Sequence, residues 1–376
     1  MTMRVRAAIL RQSGLPRPYA ESRPLTIETI DLAPPGPGEV LVRIAAAGLC
    51  HSDLSGINGD RPRPMPIALG HEASGVVEAL GDGVDDLEPG DHVVMSFLPT
   101  CGHCGPCSSG RAALCTPGHA ANARGTLLSG ARRITCEGMA VNHHSGVCAF
   151  SERSVIHRRS IVKVGRDLPL EHAVLFGCGV MTGVGAALNT CGIMPGQSVA
   201  VVGLGGVGLS SVLGAVAAGA GRVVAIDLAA DKLTLARTLG ATDTFLAGDE
   251  GTVSAVRNLT HGGVDHAIEM AGAAKAFELA FAITRPGGAT TTAGLARAGT
   301  DFALPAVALV GEERRVQGCY MGSCVPSRDI PRFIAMFRAG RLPVDRLLSS
   351  TGPLDGINAA FDRLDRGEVV RHVIVM

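Results

Sequence analysis

The chain has 376 residues, enough for two domains, with 46% hydrophobic residues and 34 basic side chains against 34 acidic ones. A neutral balance with 10 Phe, 2 Tyr and no Trp leaves no electrostatic or stacking footprint for nucleic acid or an acidic membrane surface. The 50 glycines far exceed the ordinary share of about 7% and show no collagen-like period, so they predict tight turns and close backbone approaches.

The first hundred residues read as β-structure. Arg6–Leu10 and Val40–Ile44 are apolar strand segments separated by the turn Pro34-Pro-Gly-Pro-Gly38. Gly75–Leu80 and Asp91–Met95 are further strands. The opening Met1-Thr-Met-Arg-Val-Arg6 leads into no long apolar run, so no secretory leader and a cytoplasmic location are expected. Eleven cysteines in a reducing compartment read as metal ligands rather than disulfides.

Among these strands stand Cys50-His-Ser-Asp53 and Gly70-His71-Glu72, and Phe176-Gly-Cys178-Gly follows far downstream. Taken singly, each Cys or His would be an ordinary core residue. Together, two thiolates and one imidazole make a three-ligand set for a catalytic zinc that keeps its fourth position open. Cys101, Cys104, Cys107 and Cys115, spaced C-x2-C-x2-C-x7-C, form a closed four-thiolate set in the lobe 101–115. An iron–sulfur cluster takes the same ligands. With no second cysteine set nearby to build an electron-transfer chain, a structural zinc is the favoured reading.

Residues 116–150 read as a long loop. The neighbouring His143 and His144 diverge, as side chains at i and i+1 do, and suit a solvated or pocket-wall role rather than a metal. From Ala173 to Gly221 no residue is charged, which by length alone would suit a membrane span. Pro195-Gly196 and the glycine-rich run that follows break it, so strand, turn and helix buried in an α/β domain are expected.

Val199-Ala-Val-Val-Gly203-Leu-Gly205-Gly206-Val207-Gly208 places a G-x-G-x-x-G loop between an apolar strand and a helix-length stretch. A second strand, Arg222–Asp227, ends in a carboxylate 19 residues past Gly208. This is the complete dinucleotide fingerprint. Asp227 suits a free ribose diol and repels a 2′-phosphate, and no Arg occupies 228–231, so NAD is favoured over NADP. The rhythm continues with a helix over 233–239, a strand over 263–269, a helix over 273–283, a strand over 287–295, a helix over 330–339 and a final strand over 369–375. Alternation of this kind implies a doubly wound parallel sheet, with the tail returning to the β-rich N-terminal part.

In order along the chain, Gly48-Leu-Cys50-His-Ser-Asp53, Gly70-His71-Glu72, the four-cysteine lobe, Gly177-Cys178-Gly-Val-Met-Thr182-Gly-Val-Gly and the nucleotide fingerprint resemble the zinc-dependent alcohol dehydrogenases of the medium-chain dehydrogenase/reductase family. The resemblance implies a GroES-like catalytic domain (1–180 with 322–376), an inserted Rossmann domain (181–321), two zincs per subunit, NAD, and a homodimer paired through the Rossmann sheets. It implies hydride exchange between an alcohol and nicotinamide. Ser52 would pass the alcohol proton outward, Asp53 would steady His71, and Glu72 would stand behind the zinc. His51 and Arg371 fall where the family binds the cofactor pyrophosphate, Thr182 against the nicotinamide and Lys232 near the adenosine ribose. Phe97, His144, Leu295 and Tyr320 fall on the substrate-pocket wall, suiting a primary aromatic or medium-chain alcohol. Two positions depart from the pattern. Ser55 stands where many relatives end the proton relay in a histidine. His119 stands where the glutathione-dependent formaldehyde branch holds its substrate carboxylate with an arginine. A nicotinoprotein with permanently bound NAD and an S-hydroxymethylglutathione dehydrogenase are the alternatives within the family.

Overall fold

The computed structural model describes residues 2–376, which fall into two compact units. The first holds the chain up to Cys178 together with Val325–Pro331 and Leu348–Met376. Its strand Glu39–Gly48 shows why the sequence folds this way. Val40, Val42 and Ile44 bury into one apolar cluster with Val77, Val93 and Met95, whereas Leu41 faces a second cluster with Val5, Ile30 and Val155. A side-chain period of two thus buries both faces of one strand.

On one side of this strand lies a closed barrel. Met3–Leu10 pairs with Leu25–Leu32, which pairs with Ile134–Cys136, then Met139–His143, then Ile67–Ala68, which returns to Met3–Leu10. Closure removes the exposed edges that invite aggregation. The second sheet runs Ile161–Val164, His92–Met95, Glu72–Leu80, Glu39–Gly48, Arg371–Val375 and Leu348–Pro353, with Arg153–His157 also on Glu39–Gly48. The C-terminal strand pairs Val373 with Gly48 and Ile374 with Ala47, so the tail does rejoin the N-terminal part.

The expected loop over 116–150 is corrected here. It contains a helix, Thr116–Arg124, and the barrel strands Ile134–Cys136 and Met139–His143. Pro117 in the first turn and Gly125 at φ 65 bound the helix. Its small and polar residues give no apolar stripe, so periodicity could not reveal it.

The second unit holds Gly179–Cys324 and Arg332–Leu347. Residues 332–347 therefore group with the nucleotide domain rather than with the tail. Arg332 donates to Asn189 Oδ1 at 3.1 Å and Arg346 to Thr238 O at 3.3 Å, tying the segment down. The unit is built on β1 (Ser198–Val202), α1 (Gly206–Ala217), β2 (Arg222–Asp227), β3 (Asp243–Leu246), β4 (Val264–Glu269), β5 (Thr284–Thr292) and β6 (Arg315–Gly318). The order is β3-β2-β1-β4-β5-β6 and every pairing is parallel, which is the doubly wound Rossmann sheet. Ala200, Val202, Val224, Ile226 and Ala267 fill one of its covered faces. The charge-free stretch forms short helices, β1 and α1, largely buried, joined by an exposed loop around Met194. Among the described residues no single helix is long and apolar enough to cross a membrane.

Candidate active site

Cys50 follows the strand Glu39–Gly48 and opens the helix His51–Ile57 in an extended conformation, with its thiol unused as a cap. Gly70 has φ 95, and a Cβ there would stand 2.7 Å from both Ala149 Cβ and Phe150 N. Only glycine fits, and this tight passage delivers His71 and Glu72 to the start of the next strand. Cys178 sits in a kink (φ −143, ψ −72) directly after the short helix Val174–Gly177. Gly177 just before it allows close approach to Met95, whose carbonyl oxygen a Cβ would meet at 2.5 Å.

These turns bring one ligand atom each from Cys50, His71, Glu72 and Cys178 within 4.8 Å of one another, all buried. The contact with Cys178, helped by His71, holds the Cys50 thiol well below its usual range against burial. Cys178 is pushed up by Cys50 and by burial, because two adjacent buried thiols cannot both carry charge. Burial alone would lower His71, but Asp53 and Cys50 outweigh it and carry the imidazole to about 10. Glu72 Oε1 is buried without a hydrogen-bond partner. Soft thiols, an imidazole and an orphaned carboxylate oxygen fit zinc, whose charge would let both thiolates ionise together.

Around this set lies a polar layer. Asp53, fully buried, accepts from Gly70 N at 3.0 Å and lies 3.1–3.2 Å from His71 Nδ1 through its two oxygens. His144 Nδ1 stands 3.0 Å from Asp53 Oδ1. The Phe97 ring meets His71 edge-on at 5.8 Å. Ser52 Oγ is 3.8 Å from Cys50 Sγ. Ser55 Oγ donates to His51 O at 2.8 Å, within its own helix. His51 itself is exposed.

Three expectations look different in the structure. Arg371, expected on the cofactor pyrophosphate, is buried and ion-paired with Glu72 Oε2. His144, expected as pocket wall, commits one ring nitrogen to Asp53 because the chain after Met139–His143 turns inward there. His143 diverges from it as expected, but is buried rather than solvated, with Nε2 accepting from Arg133 N at 3.0 Å. Of the remaining wall residues, Leu295 and Tyr320 belong to the second unit, and Leu295 is 53% exposed.

The lobe of Cys101, Cys104, Cys107 and Cys115 gathers four thiols within 4.8 Å of one another. Backbone amides point at sulfur: Cys101 N lies 3.2 Å from Cys115 Sγ and Cys104 N lies 3.3 Å from Cys101 Sγ. Amides at Cys107 and Thr116 draw Cys104 down to about 6, whereas burial pushes Cys107 up to about 12. A closed site of this kind needs a cation before all four can ionise. His119, just past the lobe, donates Nε2–H to Ala113 O at 3.0 Å.

In the second unit the glycine loop has the expected form. Gly203 has φ 93, and a Cβ would meet Ala271 N at 2.8 Å. A Cβ at Gly208 would lie 1.8 Å from Gly203 O. Gly205 precedes α1, with open space where its side chain would be, and Gly206 and Val207 form the first turn. An open helix start of this kind is a general setting for anion binding. Asp227, closing β2, accepts from Leu204 N at 2.6 Å and Ala229 N at 2.9 Å, so one carboxylate ties the glycine loop to the next turn. Lys232 is half-buried on the helix Ala230–Thr238, and Thr182 half-buried on Gly179–Gly185. Two residues escaped the sequence reading. Leu228, beside Asp227, is 78% exposed. Glu269, buried at the end of β4, accepts from Gly272 N at 2.5 Å and Thr292 Oγ1 at 2.6 Å. A carboxylate closing a strand at the sheet's switch point was the available signal.

Comparison with known proteins agrees with this geometry. A family model described as alcohol dehydrogenase GroES-like domain matches residues 36–166, and one described as zinc-binding dehydrogenase matches 206–339. A Mycobacterium tuberculosis protein provisionally named alcohol dehydrogenase D is 39% identical over 99% of this chain and 100% of its own. An alcohol dehydrogenase zinc-binding domain protein from Burkholderia ambifaria is 33% identical with a TM-score of 0.94, covering 100% of both chains. Benzyl alcohol dehydrogenase from Acinetobacter calcoaceticus is 30% identical with a TM-score of 0.92, covering 100% of this chain and 99% of its own. With both domain models matched in order and full-length relatives at this identity, the chain belongs to the zinc-type alcohol dehydrogenases of the medium-chain dehydrogenase/reductase family.

Proposed function

We propose that the protein interconverts primary alcohols, aromatic or of medium chain length, with the corresponding aldehydes, using NAD. The observation that carries this reading is the convergence of Cys50, His71 and Cys178, with Glu72 behind them, in a buried site. These three side chains would hold a catalytic zinc, and the four-cysteine lobe a second, structural one. When bound, zinc supplies Lewis-acid polarisation of the substrate oxygen and NAD accepts the hydride. Asp53 fixes the ring of His71. Ser52, beside Cys50, takes the alcohol proton. Ser55, whose hydroxyl donates to His51 O, is no substitute for a terminal histidine base, because a serine hydroxyl does not titrate near neutral pH. Asp227 receives the adenosine ribose diol and disfavours NADP, and Gly205 lets the backbone reach the pyrophosphate, while Gly203 forms the tight turn and Gly208 packs the helix against it. Phe97 against His71 and the likeness to a benzyl alcohol dehydrogenase support an aromatic substrate. A homodimer acting in the cytoplasm completes the reading.

The test is NADH formation with alcohols from ethanol through hexanol to benzyl alcohol, in protein of measured zinc content. Turnover should rise with chain length or aromaticity, and Cys178→Ser or His71→Ala should abolish it in folded protein. Full turnover in either variant would overturn the assignment. Turnover of the same alcohols only with an artificial electron acceptor would replace exchanging NAD by the nicotinoprotein alternative.

A further inference from the structure

Orienting a histidine ligand needs one carboxylate, yet Asp53 carries two imidazoles. Besides Gly70 N and His71 Nδ1, His144 Nδ1 lies 3.0 Å from Oδ1. That nitrogen is buried and has no hydrogen-bond partner elsewhere, so Asp53 is the acceptor open to it, although the approach is off the line of a straight hydrogen bond. The His144 ring also meets the His71 ring edge-on, at 5.2 Å and 83°. His71 is therefore held at Nδ1 by Asp53 and flanked by Phe97 and His144. Its Nε2 faces the other way, 3.8 Å from Glu72 Oε1. The backbone fixes His144 in turn: its N–H donates to Ala68 O at 3.1 Å, and its carbonyl accepts from Val147 N at 3.1 Å.

We propose that His144 is a positioning residue for the metal centre, fixing Asp53 through Nδ1 and His71 through its ring edge. The proposal rests on the reading that Cys50, His71 and Cys178 hold zinc. Groups that orient metal ligands in this way are worth about 10–100-fold in metal affinity. Amide substitutions separate the two ring nitrogens, because the Asn side-chain nitrogen overlays Nδ1 and the Gln nitrogen overlays Nε2.

The experiment uses the full chain as His144→Leu, His144→Asn and His144→Gln. It measures zinc loss to a competing chelator and the visible ligand-field spectrum of the cobalt(II)-substituted protein. His144→Leu should release the zinc that Cys178→Ser also removes, with affinity lower by about 10–100-fold and an altered cobalt spectrum. The zinc of the four-cysteine lobe should stay, showing that the chain is folded. His144→Asn should recover most of the affinity and His144→Gln should not. Wild-type affinity and spectrum in His144→Leu would overturn the proposal. So would rescue by Gln and not by Asn, which would show that Nε2, and not the Nδ1 contact with Asp53, supports the centre. Should His144→Leu fail to fold, the Asn and Gln pair decides alone. A wild-type chain with no zinc sensitive to Cys178→Ser would instead defeat the underlying zinc reading, and the proposal with it.

Discussion

Gly208→Ala is the sharpest probe of the nucleotide site. The added Cβ would stand 1.8 Å from Gly203 O, 2.9 Å from Gly203 C and 3.5 Å from Met270 Cβ. An unstrained carbon contact is about 3.5 Å, so α1 must recede from β1 by more than an ångström. The obstructing atoms are backbone, pinned by the Gly203 N–H bond to Ile226 O at 2.8 Å, and cannot swing aside. Overpacking of this kind costs about 1–3 kcal/mol of stability. The displaced helix start is also the proposed pyrophosphate site. A loss of the same size in binding is about fivefold to a hundredfold, at 1.4 kcal/mol per tenfold. Calorimetric NAD titration and denaturant unfolding, at matched zinc content, read the two effects. Gly205→Ala is the control, since its Cβ meets nothing within 4 Å and its φ of −71 suits any residue. It should unfold like the wild type and still bind NAD less well, because its side chain enters the space left for the phosphates. Wild-type NAD affinity and stability in Gly208→Ala would refute the close-approach argument.

Cys104→Ala should lose one zinc per chain and resist denaturant less well, with the zinc removable by Cys178→Ser still in place; unchanged zinc content would dismiss the lobe as a metal site. Arg371→Leu leaves Glu72 buried without its cation, which should cost about 3–5 kcal/mol in denaturant unfolding. The double variant with Glu72→Gln should recover much of that, and an equal cost in the presence and absence of Glu72 would deny the pairing. Burial holds His143 at about 4, below the 6.5 of an ordinary imidazole, despite the opposing pull of Glu39. The stability it contributes is therefore complete above 6.5 and is lost as pH falls from there through about 4. His143→Gln should flatten that part of the acid unfolding curve, and an unchanged slope would show that His143 does not titrate with folding.

What could be read without coordinates was local or carried by residue type. The glycine loop, β2 and Asp227 lie within 25 residues of one another, and each has a single stereochemical reason to be there. Cys50, His71 and Cys178 were legible only in company, since nothing in the spacing of three such residues fixes their distance. The illegible parts depend on contacts between distant segments. The barrel strands Ile134–Cys136 and Met139–His143 are short, and the first pairs with Asp31 and Leu32, about a hundred residues away. β3 and β6 have four residues each, too few to display a period. The Arg371–Glu72 pair spans 299 positions, so no pattern along the chain could separate a cofactor-binding arginine from one that neutralises a carboxylate.

The distribution of buried charge argues that this polar layer exists for chemistry. Asp53, His71, Glu72, His144 and Arg371 are all buried in one cluster, beside a core that is mainly apolar. Replacing a buried ion pair by apolar side chains is often neutral or stabilising, so fold stability gives no reason to keep five ionisable groups together. The exposed pair Arg6–Asp355, at 47% and 67% exposure, shows the other extreme, where charge costs little and contributes little. The proposed metal centre would supply the missing reason. Two thiols and an imidazole must be stripped of water and held in one orientation, and each carboxylate that aims or balances them must be buried beside them. Asp53 then needs donors, which Gly70 and His71 provide with His144 Nδ1 close by, and Glu72 needs a cation, which Arg371 provides. Each buried charge has an oppositely charged or polar neighbour, and Glu72 Oε1, an oxygen left without a hydrogen bond, belongs to the same cluster as the two thiols.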